Sequence, residues 1–294
     1  MPAPRPLAER IALVTGGTRG AGRAIAVELG TAGATVYVTG RTTANSSSPM
    51  NRPETIEETA ALIDAAGGRG IALPVDHSQP AEIQTLADTI AKTFGRLDIL
   101  VNDIWGGDAA VEWGKPFWEQ DLAIGRTLLH QSIDTHLMTS WHMAPLLLAS
   151  DHGLVVEITD GVSHRYRGSL FYDLIKSSLN RLAIAQAEDF RSSGVAVLAV
   201  SPGFLRSEAM LDHFGVTSAT WQEAIAADPH FAYSETPHYL GRAVVALAAD
   251  PKKMEATGTI TATWELAKKY GLTDLDGTQP DWGHHFRTSL NLEP

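Results

Sequence analysis

Short apolar runs rich in β-branched residues alternate with amphipathic segments along almost all of the 294 residues. Several runs are apolar at nearly every position, which is typical of strands buried on both faces of a parallel sheet. The predicted strands are Ile11–Thr15, Thr35–Thr39, Ile71–Pro74, Ile99–Asn102, Leu154–Thr159, Ala196–Ser201 and a last one near Thr259–Thr263. The predicted helices are Ala21–Ala32, Pro53–Ala66, Pro80–Phe94, a long one within Leu122–Ala149, and Tyr172–Arg191. This alternation implies right-handed crossovers, so we predict an α/β fold: a doubly wound parallel sheet of about seven strands with helices on both faces.

The domain organisation follows from the absence of any dividing segment in the sequence. The chain has no linker, repeat or low-complexity tract, and the Ser-rich stretch Thr42–Pro49 is long enough only for a loop. We therefore predict one domain over residues 1–294, with a C-terminal extension from about residue 264.

Composition and charge exclude several classes of function. The net charge of -11 disfavours nonspecific binding to nucleic acid or to an anionic membrane, since both require positive surface. The absence of cysteine excludes disulfides, thiolate metal sites and thiol nucleophiles. Neither an apolar signal region at the N-terminus nor a stretch of about 18 apolar residues is present, so we predict a cytoplasmic protein. The histidines show no metal-ligand spacing, so we predict no metal site. We interpret His284 and His285 as an exposed pair.

A glycine-rich turn, T-G-G-T-R-G-A-G at residues 15–22, joins the first predicted strand to the first predicted helix. Gly16, Gly20 and Gly22 allow a sharp turn and the close approach of a phosphate, and the N-terminus of the helix offers free N–H groups. Thr18 and Arg19 lie inside the turn. We predict that it binds the pyrophosphate of a dinucleotide; the alternative is a strand-to-helix turn without a ligand.

The residues after the second strand indicate which dinucleotide is bound. No acidic residue stands there to accept a hydrogen bond from a free ribose 2′-hydroxyl, and the chain instead reads Gly40-Arg41-Thr42. Arg41 and Arg19 both offer donors suited to a 2′-phosphate, so we predict NADP(H). The alternative is that each arginine is a solvated surface residue. Asp76, after the third strand, is predicted either to accept a hydrogen bond from the adenine amino group or to cap the next helix.

Tyr172 and Lys176 are four residues apart, which places both side chains on one face of a helix. A nearby ammonium favours the phenolate, so Lys176 is expected to lower the pKa of Tyr172 and make it an acid–base group. Lys176 is also able to hydrogen-bond the nicotinamide ribose. The pair therefore predicts nicotinamide-dependent carbonyl chemistry.

Four segments together resemble the short-chain dehydrogenase/reductase family: the glycine turn, L-V-N-D at 100–103, Tyr172 with Lys176, and S-P-G-F-L-R-S at 201–207. The resemblance covers roughly residues 8 to 265. It implies a Rossmann-type sheet, hydride transfer between NAD(P) and a carbonyl or alcohol, and Tyr172 as general acid in reduction. It also implies that Asn102, Pro202 and Gly203 belong to the cofactor site, and that the chain forms a homodimer or homotetramer. The segment W-E-L-A-K-K-Y-G-L-T-D-L-D-G-T-Q-P resembles the subgroup typified by dehydrogenase/reductase member 1.

The sequence departs from the pattern of that family at several catalytic positions. The usual serine twelve or thirteen residues before the tyrosine is replaced by Thr159-Asp160. Ionised Asp160 would repel a developing oxyanion, whereas a protonated one would donate a hydrogen bond. We predict that Asp160 lines the site, with a turn-forming aspartate as the alternative; Thr159 or Ser163 are alternative hydroxyl donors.

A second departure concerns the family's relay asparagine on the long helix. Ser132 is the predicted occupant of that position, and a shift of one turn would place Asp134 or His136 there. The usual N-N-A-G is here Asn102-Asp103-Ile104-Trp105. These changes make cofactor binding a firmer expectation than turnover.

Aromatic residues come after the fourth strand, where ligands of open sheets bind. Trp105 is predicted to line the substrate site with Phe204, and Trp113, Phe117 and Trp118 to extend an apolar wall for a bulky or cyclic substrate; the alternative is packing against a loop or subunit. Residues 206–239 are the predicted lid. The run His164–Arg167 is interpreted as solvated surface, with contact to an anionic group of the substrate as the alternative.

The predicted function is NADPH-dependent reduction of a ketone or aldehyde. One alternative is a regulator or scaffold that binds NADP(H) without redox activity, because Asp160 and Ser132 replace the family residues. The other is a non-redox isomerase or dehydratase that uses the same tyrosine.

Overall fold

The computed structural model describes residues 5–48 and 50–292. The first four residues of the N-terminal segment, Pro49 at the end of the Ser-rich stretch, and residues 293–294 lie outside the described residues. The strands are β1 Ile11–Thr15, β2 Thr35–Gly40, β3 Arg69–Pro74, β4 Ile99–Asn102, β5 Leu154–Ile158, β6 Ala196–Ser201 and β7 Ile260–Ala262. The helices are α1 Gly20–Thr31, α2 Ile56–Ala65, α3 Pro80–Phe94, α4 Leu122–Leu129, α5 Thr135–Leu148, α6 Leu170–Phe190, α7 Glu208–Phe214, α8 Pro237–Ala249, α9 Thr263–Tyr270 and α10 Trp282–Ser289.

All seven strands form one parallel sheet in the order β3-β2-β1-β4-β5-β6-β7. Side chains alternate between its faces: Ala12 and Val14 of β1 pack with α1, α2 and α8, whereas Ile11 and Leu13 pack with α3, α5 and α6. The predicted doubly wound, Rossmann-type sheet with helices on both faces is confirmed. The order reverses between β1 and β4, and the crevice at the carboxyl ends of these strands is the expected ligand site.

The long helix predicted within residues 122–149 is divided. A π-helical turn, His130–Asp134, separates α4 from α5. A π-helical turn contains an extra residue and rotates the side chains after it, and such turns are frequent at functional sites. Sequence periodicity does not reveal it, because both flanking segments keep their amphipathic pattern.

Four helices, α7 to α10, were not predicted. α8 packs on the same sheet face as α1, and a Cβ at Gly241 would lie 2.9 Å from the Ala24 carbonyl oxygen, so the two helices approach closely. α9 and α10 lie in the predicted C-terminal extension. No helix of the described residues is long and apolar enough to cross a membrane, and none of their His, Cys, Asp and Glu side chains group in threes that would hold a metal ion. The cytoplasmic location and the single domain stay predictions.

Candidate active site

Three of the four glycines in the turn between β1 and α1, namely Gly16, Gly20 and Gly22, are needed for different reasons. Gly16 has φ 69° and packs directly against the Asp103 carbonyl. A Cβ at Gly22 would lie 2.5 Å from the Gly16 carbonyl oxygen, so only glycine closes the turn there. Gly20, with φ 56°, faces open space except for Ser207, whose Cβ is 4.0 Å away. The space beside the Gly20 Cα is therefore open, as the close approach of a phosphate requires.

Helix α7, in the predicted lid, places carboxylates on this phosphate-binding side. The Gly20 N–H donates to Glu208 Oε2 at 2.9 Å, and Arg52 Nη1 pairs with Asp212 Oδ2 at 2.8 Å. Glu208 and Asp212 are one helical turn apart and face the same way. A carboxylate thus binds the N–H group that was predicted to bind a pyrophosphate oxygen, which shows that this N–H donates to an anionic partner. Sequence patterns gave no indication of this contact, which joins residues 188 apart.

The predicted 2′-phosphate side is built from the loop after β2. Arg19 Nε pairs with Glu54 at 3.2 Å, and its Nη2 lies 3.2 Å from Ser48 Oγ and 3.5 Å from Thr42 Oγ1. Arg41 is exposed beside this loop. Thr18 is buried under Gly40, where a Cβ would lie 2.5 Å from its Oγ1, so it shapes the floor of the turn.

Asp76 forms a local turn: its Oδ1 accepts from the Ser78 N–H at 2.9 Å and from Ser78 Oγ at 2.8 Å. Gln79, not Asp76, is the N-cap of α3. The prediction that Asp76 caps the next helix is therefore wrong, because the Asp76 carboxylate accepts hydrogen bonds from Ser78, the residue before the N-cap. Adenine contact by its second oxygen stays a prediction.

Asn102 lies inside the molecule. Its side chain is fully buried, and Nδ2 donates to Glu157 Oε1 at 2.9 Å and to Ser140 Oγ at 3.0 Å. Both amide hydrogens are used, so the side chain is not available to a cofactor and ties β4 to β5 and α5 instead. Only its backbone is left for the predicted cofactor contact.

The same buried network fixes His136, the second residue after the π-helical turn. His136 Nδ1 lies 2.6 Å from Glu157 Oε2, and its Nε2 lies 3.2 Å from the Ile104 carbonyl oxygen. Ser132 is buried in the π-helical turn, and its carbonyl accepts from Thr135 Oγ1 at 3.3 Å. His136 thus supports the segment after β4, while a relay role of Ser132 stays a prediction.

The Tyr172 ring lies between two tryptophans at the start of α6. Its centre is 5.5 Å from that of Trp105 and 4.9 Å from that of Trp113. The Tyr172 hydroxyl donates to Asp160 Oδ2 at 2.9 Å. The pKa of Tyr172 is raised well above its usual value, first by burial and then by the Asp160 charge and this hydrogen bond. The expected lowering of the pKa is therefore wrong for this form of the protein, and the phenol keeps its proton at neutral pH.

Lys176 does not lie against the phenol oxygen. Its Nζ is 4.8 Å from the centre of the Trp105 ring and 5.5 Å from that of the Tyr172 ring, which is a cation–π arrangement. Burial lowers the pKa of Lys176, while Asp160 and Asp103 oppose this. Asp103, beside Gly22, is similarly affected: burial raises its pKa to about 7. The sequence reasoning did not single out Asp103, although it stands at a position where the family has asparagine.

Asp160 lies in the site as predicted by its spacing from Tyr172, and its side chain is 38% exposed. Arg167 Nη1 is 3.8 Å from Asp160 Oδ1, so a second cation faces this carboxylate. Thr159 Oγ1 donates to the Lys176 carbonyl at 3.0 Å, and Ser163 Oγ accepts from the Arg165 N–H at 3.3 Å. Thr159 is thus used to hold α6 on β5 and is not available as the missing hydroxyl.

The turn after β6 is covered by the C-terminal helix. A Cβ at Gly203 would lie 2.7 Å from Glu235 Oε2 and 2.8 Å from Trp282 Cβ. Phe204 packs edge-on against Phe231 and Trp282, with ring centres 5.2 and 5.5 Å away. Pro202 and Gly203 are partly exposed at the carboxyl end of the sheet, where their predicted cofactor contact is open to test.

Two side chains around α10 differ from expectation or were missed. His285 is buried, and its Nε2 lies 2.9 Å from His230 Nδ1, so the prediction of an exposed pair is wrong for His285, whereas His284 is exposed. Its stacking on Tyr233, with ring centres 3.8 Å apart, explains the burial. Glu235 is fully buried under Gly203, and burial raises its pKa to about 8.

Comparisons with known proteins agree with this geometry. A family model described as short chain dehydrogenase matches residues 10–214. The mouse protein "Dehydrogenase/reductase SDR family member 1" is 32% identical over 279 residues, covering 92% of this chain and 85% of that protein. A putative dehydrogenase from Xanthomonas campestris superposes with a TM-score of 0.75 at 23% identity, covering 94% of both chains, which shows the shared fold.

A further solved structure, the Pseudomonas aeruginosa RhlG/NADP active-site complex, has a TM-score of 0.70 and 26% identity over 88% of this chain and 96% of that one. The glycine turn here fits a dinucleotide for two reasons. The space beside the Gly20 Cα is open, and the Gly20 N–H already donates to an anionic group, the Glu208 carboxylate. The seven-stranded sheet, this turn and Tyr172 with Lys176 occur together with the match over most of the chain. The chain belongs to the short-chain dehydrogenase/reductase family, whose members are oxidoreductases that use a nicotinamide cofactor.

Proposed function

We propose that this protein is an NADPH-dependent reductase of a ketone or aldehyde, with Tyr172 as the general acid. The observation that carries the proposal is the position of the Tyr172 hydroxyl, which donates to Asp160 at 2.9 Å on a ring flanked by Trp105 and Trp113. A group that protonates a carbonyl oxygen must carry its proton at neutral pH, as a phenol with the ordinary pKa of about 10 already does. The two tryptophans give the substrate side an apolar wall suited to a bulky or cyclic carbonyl compound.

Each polar residue of the site has its own part in the reduction. A bound nicotinamide supplies the hydride. The substrate oxygen replaces Asp160 as acceptor of the Tyr172 hydroxyl, and Tyr172 then gives its proton to that oxygen. Lys176, whose Nζ is 5.5 Å from the centre of the tyrosine ring, stabilises the phenolate that is left. Arg167 offsets the charge of Asp160.

The preference for NADP(H) over NAD(H) rests on the cations around the loop after β2. Arg19 and Arg52 share Glu54, at 3.2 and 2.7 Å, and Arg41 is exposed nearby, so the three arginines exceed that carboxylate in charge. Thr42 and Ser48 add hydroxyl groups within 3.5 Å of Arg19. Guanidinium and hydroxyl donors suit a 2′-phosphate. The structural relative with bound NADP supports the same assignment.

The test is oxidation of NADPH and NADH by the purified protein against a panel of aromatic, cyclic and straight-chain ketones and aldehydes. We expect turnover with at least one aromatic or cyclic carbonyl compound, and a kcat/KM higher with NADPH than with NADH. NADPH binding without oxidation over the whole panel would contradict the proposal.

A second candidate function, a protein that binds NADP(H) without redox activity, is favoured by one observation. Asp160 stands where the family has serine and accepts the proton-bearing hydroxyl of Tyr172. Asp160→Ser separates the two functions: if only this variant oxidises NADPH, the native chain is a binding protein. An isomerase or dehydratase would instead give product without net NADPH consumption.

Glu208 is expected to compete with the cofactor for the Gly20 N–H, because a carboxylate at 2.9 Å repels an arriving pyrophosphate. Glu208→Gln removes the charge, so NADPH affinity should rise about threefold to tenfold, in line with one charge removed near the cofactor. Energy transfer from tryptophan to NADPH measures the affinity. Glu223→Gln, at an exposed position of the same lid, is the control and should leave it unchanged. Unaltered or weaker affinity in Glu208→Gln would show that the carboxylate does not occupy the cofactor site.

We propose that the chain forms a homodimer or homotetramer through α5 and its neighbours. Leu137 and Trp141, one turn apart on α5, are 49% and 71% exposed, and Leu174 of α6 is 46% exposed. Such apolar side chains favour a partner surface. Trp141→Glu should reduce the mass measured by light scattering to that of one chain, whereas Leu62→Glu, at a 42% exposed leucine of α2, should not. A native protein that is monomeric at micromolar concentration would contradict this proposal.

A further inference from the structure

Two arginines between β5 and α6 are not the solvated surface residues that the sequence suggested. The Arg167 side chain is only 10% exposed, and its Nη2 is buried without a hydrogen-bond partner among the described residues. Arg165 Nε is also buried and unpartnered within the part of the chain that the structure describes. Buried guanidinium donors are normally paired, so these donors are positioned for a group that the protein does not itself provide.

Gly161 explains why Arg167 reaches this position. Gly161 has φ 89°, and a Cβ there would collide with the Arg167 guanidinium. The Gly161 N–H donates to Ser201 Oγ at 2.7 Å, which fixes the backbone that the guanidinium covers. Arg167 therefore lies against the carboxyl end of β5, directly beside Asp160 and Tyr172.

The charges around Asp160 are not balanced. Arg167 Nη1 is 3.8 Å from Asp160 Oδ1, which is beyond hydrogen-bond distance, and the other oxygen of Asp160 already accepts from Tyr172. Arg165 is held over the Phe286 ring of α10, with its guanidinium carbon 4.8 Å from the ring centre. Both guanidiniums are close enough to influence each other, and burial with this repulsion lowers the pKa of Arg165. Two guanidinium groups thus share the Asp160 carboxylate beside the general acid, Tyr172.

We infer that the substrate is an anionic carbonyl compound whose carboxylate binds Arg167 and Arg165 while its carbonyl accepts from Tyr172. The Arg167 guanidinium and the Tyr172 hydroxyl approach opposite oxygens of the Asp160 carboxylate, so they lie close together. The carboxylate and the carbonyl of such a substrate are therefore separated by a short chain. A planar guanidinium binds a carboxylate through two parallel hydrogen bonds, and Arg167 Nη2 has no hydrogen-bond partner among the described residues. This inference rests on the proposed reductase function for its kinetic test but not for its binding test.

The binding test uses 4-phenylbutanoate, which carries the carboxylate and an aromatic ring but no reducible carbonyl. Calorimetry should detect binding to the native protein in the presence of NADP, and Arg167→Gln should weaken it at least about tenfold, because a charge-assisted hydrogen-bond pair is lost. Arg69→Gln removes an exposed arginine at the start of β3, on the opposite edge of the sheet, and should leave binding unchanged. Equal affinity in native protein and Arg167→Gln, or no binding to the native protein, overturns the inference.

The kinetic test compares 4-oxo-4-phenylbutanoate with its methyl ester. The native enzyme should show a kcat/KM at least about tenfold higher for the acid, and Arg167→Gln should bring the ratio of acid to ester close to one. Turnover of both compounds at equal rates would leave the reductase function intact and refute the carboxylate site. Circular dichroism melts establish that Arg167→Gln is folded; if it is not, Arg165→Gln replaces it and should lower the same ratio.

Discussion

Tyr172→Phe is expected to lower kcat for carbonyl reduction by about 10²- to 10⁴-fold, the range for loss of a positioned general acid. The Tyr172 hydroxyl bonds only Asp160 among the described residues, so its removal leaves the glycine turn and the arginines around Arg19 unchanged. NADPH affinity should therefore stay within about twofold of the native value. Steady-state oxidation of NADPH measures kcat, and energy transfer from tryptophan to NADPH measures the affinity.

The matched control for this prediction is Tyr166→Phe. Tyr166 is 55% exposed and lies six residues before Tyr172, so the same atom is deleted outside the site. The control should keep native kcat. If Tyr172→Phe retains more than a tenth of native activity, Tyr172 is not the general acid.

Glu235 is expected to make stability depend strongly on pH. Burial raises its pKa from 4.5 to about 8, more than the contacts with Thr263 and the Gly203 backbone lower it, and neither oxygen makes a hydrogen bond of standard geometry. The folded protein holds this proton more tightly than the unfolded chain. The stabilisation is thus complete below pH 4.5 and is lost as the pH rises through about 8.

Glu235→Gln keeps the shape of the side chain but cannot ionise. Its unfolding free energy should match the native value at about pH 4 and exceed it by roughly 3–5 kcal/mol at about pH 9, since each pKa unit is worth about 1.4 kcal/mol. Urea titrations at several pH values measure this difference. Glu223→Gln, at an exposed position, should track the native curve. Parallel curves for Glu235→Gln and the native protein would mean that Glu235 is already ionised in the fold.

The ionisation of Glu235 also bears on the cofactor side of the site. Its carboxyl lies under Gly203, where even a Cβ would approach within 2.7 Å of Oε2. A charged Glu235 would draw water or a cation towards this turn.

The strands were predictable because each one is encoded locally. β1, β4 and β6 have the predicted bounds, since continuous apolar runs end at residues that start a turn or helix. The glycine turn was equally local, because positive φ at Gly16 and Gly20 demands glycine in the sequence itself. The interruption of the long helix by a π-helical turn left no such mark.

The chemistry around the site depended on contacts between distant residues. The sequence indicated the positions of Tyr172 and Lys176, but the rise in the Tyr172 pKa comes from burial, from the Asp160 charge and from the hydrogen bond to Asp160. The contact of Glu208 with Gly20 joins residues 188 apart. No periodicity or spacing reports such a pair.

Three features could be read from the amino-acid sequence alone: the strand–helix alternation, the glycine turn and the spacing of Asp160, Tyr172 and Lys176. Backbone propensity and side-chain periodicity act over a few residues and are readable from the chain. The position of Arg167 beside Gly161 and the rise in the Tyr172 pKa depend instead on the folded structure. The energy of a charge depends on how much water and which other charges surround it, and folding sets both.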